Sequence, residues 1–100
     1  MRLYIAGPMT GLPDFNYPAF FKAEEALTAA GHEVENPARN PAPDDNAWLG
    51  YMRQSLVQIS RVDGIALLPG WQTSRGATVE YDLGKSLGLD VRTLTEWVNP

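Results

Sequence analysis

Cysteine is absent from these 100 residues, and histidine occurs once, at His32. The first absence excludes a disulfide framework and a thiolate metal site. The second sets aside histidine-built zinc sites and histidine triads. Basic residues are also scarce: 8 Lys and Arg stand against 12 Asp and Glu, a formal net charge of −4 with no basic run. A nucleic-acid backbone is therefore not an expected partner. No apolar stretch is long enough to span a bilayer, and the apolar part of MRLYIAGP is too short for a signal peptide. The expectation is a cytoplasmic protein that binds no membrane. Repeats and low-complexity tracts are missing as well.

What remains is enough for one domain with its own core, residues 1–100. RLYIA at 2–6 reads as a short apolar strand ending at Gly7-Pro8, followed by a loop, GPMTGLPDFN, too rich in Gly and Pro to be regular. Asn16 is placed to cap a helix with Pro18 in its first turn. Phe20, Ala23, Leu27 and Ala30 form its inner stripe, and Gly31 ends it. His32 to Glu35 is a second strand, and NPARNPAPDDN an irregular loop or flap. A helix from about Ala47 to Ser60 puts Trp48, Met52, Leu56 and Ile59 on its inner face. DGIALLP is nearly all apolar, as expected of a buried parallel strand. A third helix runs from Ser74 or Arg75 to Leu87, and Leu89 to Leu94 supplies a last strand. Strands alternating with helices predict an α/β fold. It is a small doubly wound, flavodoxin-like parallel sheet of four to five strands, with helices on both faces and the first strand central.

Such sheets bind ligands beyond the carboxyl ends of their strands, where strand order reverses. The loops GPMTGLPDFN and PGWQTSRG meet there. Ser74 or Thr73 can cap the third helix and Gly76 permits close approach. Free N–H groups and Arg75 offer an anion a place. An ordinary capped helix would look the same. On that helix Glu80 falls mid-way across the apolar face, among Ala77, Leu83, Gly84 and Leu87. An unpaired carboxylate there costs several kcal/mol, so either a ligand or a buried partner (Arg53, Arg75 or a tyrosine) must account for it. Its side chain leans toward the helix N-terminus, and so toward the ligand corner. Tyr4, on the first strand, can either pack or orient Glu80. Asp63 begins the third strand, at the far end, and suits a turn better than catalysis. Asp14 and Asn16 fit sugar contacts or turns equally. Trp48 and Trp71 can stack on a base, wall an interface or fill the core. Phe21 lies off the inner stripe of its helix.

YIAGPMTG, DGIALLPGW and SRGATVEYDLGKSLGL together resemble the nucleoside 2-deoxyribosyltransferase-like superfamily. More narrowly, they resemble its small DUF4406-like subfamily of uncharacterised bacterial and phage proteins. The likeness runs through essentially all 100 residues. It implies cleavage of the N-glycosidic bond between a base and deoxyribose, with no metal or organic cofactor. Glu80 matches the nucleophile and Tyr4 the tyrosine that steadies it. Gly7, Pro8, Met9 and Thr10, with Ser74, Arg75 and Gly76, match the residues that hold sugar or phosphate. Ser74 stands where the transferases carry an aspartate and the related nucleotide hydrolases a serine, which tilts the substrate toward a nucleotide. Ser55 stands where the family carries the aspartate that protonates the leaving base; Arg53 and Gln54 beside it are poor acids. A homo-oligomer is also implied, with the tail EWVNP as a candidate contact or else packed back onto the sheet.

Two functions follow from this resemblance. One is an N-glycosidase, hydrolase or transferase, acting on a deoxynucleotide or nucleoside through Glu80. The other is a non-catalytic nucleotide-binding or sequestering protein that lost its acid at Ser55. A purely structural protein leaves Glu80 unexplained.

Overall fold

The computed structural model describes residues 1–44 and 46–100. Four strands, β1 (Arg2–Ala6), β2 (Glu33–Glu35), β3 (Gly64–Leu67) and β4 (Asp90–Thr93), form one sheet in the order β2-β1-β3-β4. Every pairing is parallel, with Leu3 opposite Val34 on one side and Gly64 on the other. The two central strands are buried along nearly their whole length, which is why their sequences are continuously apolar rather than alternating.

Alternation instead decides which layer each residue joins. Leu3 and Ile5 pack with Phe20, Ala23 and Leu27 of α1 (Tyr17–Ala29) and with Trp97 of α4 (Leu94–Val98). Tyr4 and Ala6 point the other way, toward Ile59 of α2 (Trp48–Ile59) and Ala77 of α3 (Arg75–Leu87). Helices thus cover both faces. At Gly84, a Cβ would lie 2.5 Å from Ile65 Cδ1. The missing side chain lets α3 sit close on β3.

Three local expectations need correction, and one open alternative is decided. Asn16 does not cap α1 with its side chain. It is left-handed (φ 61°), and its amide donates to the Pro8 carbonyl at 3.0 Å, tying the loop after β1 to the start of the helix. On α2, Met52 and Ile59 are buried as expected, but Trp48 and Leu56 are exposed. Ser55 and Gln58 take the inner positions, because Tyr4 and Asn40 wait there to bond them. The tail folds back rather than projecting: the Trp97 indole donates to the Ile65 carbonyl at 2.8 Å, and a Thr93–Glu96 capping box starts α4. Finally, the loop after β2 contains a 3-10 turn, Pro37–Arg39, and is tightly fastened. Arg39 pairs with Glu24 at 2.7 Å, Asn40 and Gln58 exchange hydrogen bonds at 2.7 and 3.0 Å, and Gln54 donates to the Pro41 carbonyl at 2.9 Å. Asp45, part of that loop expectation, lies outside the described residues.

Candidate active site

The loops leaving β1 and β3 meet beyond the carboxyl ends of the strands, where β2 and β3 flank β1 and the chain order reverses. A cleft of about 300 Å³ opens there. Tyr4 and Glu80 line it, with Gly7, Met9 and Thr10 from the first loop and Ser74, Gly76 and Ala77 from the start of α3. Pro8 and Arg75 are not among the lining residues. The Pro8 carbonyl accepts from the Asn16 amide. Arg75 lies at the rim, its guanidinium 3.8 Å above the ring of Trp48, which does line the cleft.

At the base sits a buried polar trio. The Tyr4 hydroxyl lies 2.6 Å from Glu80 Oε2 and 2.9 Å from Ser55 Oγ. A phenol has one proton to give. With Glu80 ionised, Tyr4 donates to the carboxylate, and the Ser55 hydroxyl, whose Oγ also lies 3.3 Å from the Tyr51 carbonyl, sits beside both. The elements explain the meeting. Tyr4 is central on β1, Glu80 is on the sheet-facing side of α3, and Ser55 is on the sheet-facing side of α2. Burial raises the Glu80 pKa from 4.5 to about 7, opposed by the hydrogen bonds of Tyr4 and Ser55. Burial, and next the neighbouring Glu80 charge, drive the Tyr4 phenol well above its usual value. At neutral pH the site therefore holds one proton that is easily moved on or off Glu80, and Tyr4 stays neutral.

Around this trio the cleft is aromatic and apolar. Phe15, Tyr17, Phe20, Trp48, Tyr51 and Met52 contribute, and Pro37, Asn40 and Asn46 of the fastened loop form a roof. No Lys, Arg, His or Asp is among the described lining residues, and among the described residues no group of acidic, His or Cys side chains is placed to hold a metal. Phe15, Tyr17, Tyr51 and Asn40 were not expected at the site. Tyr51, Gln54 and Gln58 did carry a signal, lying at helical spacing opposite a Pro- and Asn-rich loop that all three bond, Tyr51 through Asn46.

The remaining candidates lie elsewhere or serve structure. Asp63 Oδ2 accepts from the Arg2 backbone N–H at 3.0 Å, at the opposite end of the sheet. Asp14 is exposed and not part of the lining. Trp71 stacks on Tyr81, with ring centroids 4.5 Å apart. Phe21 lies beneath the Arg39 guanidinium. Gln54 lines the cleft but its amide N–H is committed to Pro41, while Arg53 is exposed. No helix is long and apolar enough to cross a membrane, among the described residues.

Compared with known proteins, residues 1–93 match the family described as "Domain of unknown function (DUF4406)". No curated protein matches the chain.

Proposed function

The chain belongs to the DUF4406 family, and on that premise we propose that its cleft binds a deoxynucleotide or nucleoside and cleaves the N-glycosidic bond. The nucleoside 2-deoxyribosyltransferase-like resemblance supplies the reaction type. The observation that carries it is the Glu80 carboxyl, buried at the base of an open cleft and held by Tyr4 at 2.6 Å. A carboxylate so placed has no salt-bridge partner among the described residues, and its structural cost is the raised pKa.

In the proposed step a Glu80 oxygen attacks the anomeric carbon, and the carbon–nitrogen bond breaks with its electron pair going to the base. Ser55 is no acid, so the departing base takes its proton from water. Water, or an acceptor base, then attacks the same carbon, the ester bond to Glu80 breaks, and the carboxylate returns. Tyr4 is a positioning residue: its hydrogen bond favours the ionised carboxyl and fixes which oxygen faces the sugar. Phosphate fits the rim near Arg75 and the first turn of α3. Because the nucleophile must be ionised, the rate rises with pH through about 7. Tyr4→Phe removes the favouring donor and shifts that rise to higher pH.

Ser55 itself favours a second function, a nucleotide-sequestering protein, since general acid catalysis is worth roughly 10²–10⁴-fold. Incubating the protein with 2′-deoxynucleoside monophosphates and nucleosides, with and without an acceptor base, separates the two. Free base that appears with the wild type and not with Glu80→Ala establishes the glycosidase. Stoichiometric binding without any base release establishes the sequestering protein.

A further inference from the structure

The turn before α1 carries three successive non-glycine residues in the left-handed region: Asp14 (φ 52°, ψ 31°), Phe15 (φ 52°, ψ 26°) and Asn16 (φ 61°, ψ 17°). This region disfavours residues with a Cβ, and single Asn or Asp residues tolerate it best because their side chains bond locally. Asn16 fits that account through its bond to Pro8. Phe15 does not. It has no polar side chain, and its own N–H bond to the Leu12 carbonyl is one any residue would make.

Nor does packing explain it. Phe15 is 59 % exposed and outside both core clusters. Its ring meets one aromatic neighbour, Tyr17, at 5.8 Å and 39°. Yet both rings line the cleft that contains Glu80. A large apolar side chain held in a disfavoured conformation, uncovered, in the same cleft as a buried carboxyl marks a place where local stability is given up for a ligand. Trp48 lines the same cleft, and its ring carries the Arg75 guanidinium.

We propose that Phe15 is a specificity residue whose ring stacks on the base of the bound deoxynucleotide, so that the cleft selects its ligand by the aromatic face as well as by the sugar. This rests on the nucleotide assignment above. It requires no charge or acid from the wall, consistent with the aromatic lining. Stacking is tolerant of base identity, so Phe15 distinguishes ligands with a base from ligands without one rather than one base from another.

The test compares wild type with Phe15→Gly, Phe15→Asn and Phe15→Tyr. Calorimetry measures affinity for 2′-deoxynucleoside monophosphates and for 2-deoxyribose 5-phosphate, and thermal unfolding is recorded without ligand. Gly and Asn suit the left-handed turn, so these two variants should melt no lower than wild type. They should bind the nucleotides roughly 5- to 150-fold more weakly and the sugar phosphate unchanged. Tyr should restore nucleotide affinity. Nucleotide affinity unaltered in Phe15→Gly and Phe15→Asn overturns the stacking role while leaving the nucleotide cleft standing. A drop in melting temperature with equal losses for both ligands also overturns it, in favour of a structural role. Wild type that binds no nucleotide removes the cleft assignment and the proposal with it.

Discussion

β1 sends Leu3 and Ile5 to one side of the sheet and Tyr4 and Ala6 to the other, and the two sides are built on different terms. Beneath α1 and α4 the contacts are Phe20, Leu27, Leu68 and Trp97, with the indole N–H satisfied by a strand carbonyl. Beneath α2 and α3 the apolar contacts are smaller, and Ser55, Gln58 and Glu80 are buried among them. The first side draws its stability from area removed from water. The second accepts a desolvated carboxyl and offsets it with two hydroxyl donors. One strand thus separates a layer that holds the molecule together from a layer that can do chemistry.

The largest way to break this comparison is on the dry side. Leu27→Ala, fully buried on that side and not part of the cleft lining, should cost about 2–5 kcal/mol in denaturant unfolding, while the midpoint at which Glu80 titrates stays where it was. The opposite result is expected on the wet side. Glu80 titrates near 7 when folded and near 4.5 when unfolded, so folding takes up a proton between those values. The Glu80 contribution to stability is therefore fullest below pH 4.5, falls as pH rises to about 7, and levels off above it. Glu80→Gln removes that dependence. It should stabilise the protein by about 2–4 kcal/mol at pH 8 and by little at pH 4, and under the reaction proposed above it should abolish base release. A melting curve series against pH checks the sign.

Two smaller changes sharpen the comparison. Gly84→Ala forces a Cβ to within 2.5 Å of Ile65 Cδ1 and 3.1 Å of Val91 Cγ2. A net loss of about 1–2 kcal/mol is expected, overpacking outweighing the better helix propensity of Ala. Because α3 must then lift from β3, the Tyr4–Glu80 bond should lengthen and the Glu80 midpoint should rise. Ser55→Ala should change stability by only about 1 kcal/mol. It removes one of the two donors that hold the Glu80 pKa down, so the midpoint seen by carboxyl NMR should still move upward.

Much of this was legible in the sequence because two periods coincide with two jobs. Continuous apolar runs at 2–6 and 64–67 mark central parallel strands, and the break in the 3.6-residue pattern at Glu80 marks the site. For Tyr4 the residues alone left packing and orienting Glu80 both open, and the superfamily resemblance pointed to the second; the 2.6 Å hydrogen bond places the two side chains together. The inner face of α2 was not, since Ser55 and Gln58 gain burial from hydrogen bonds to distant elements that hydropathy does not register. The roof loop and the turn at 14–16 were equally hidden. Their shapes follow from side-chain bonds such as Gln54 to Pro41 and Asn16 to Pro8, which no local pattern announces.

The strand order also bears on how the chain reaches this state. β1 gains its second neighbour only from residues 64–67, and Tyr4 meets Glu80 across 76 positions. At about 5–20 residues per second of synthesis, an emerging first strand waits on the order of 3–12 seconds for β3. Closing so large a loop is entropically costly, so contacts of this separation slow folding. The cleft is thus among the last features to assemble. A nascent chain that stalls early would present the apolar first strand, rather than the cleft, to whatever surrounds it.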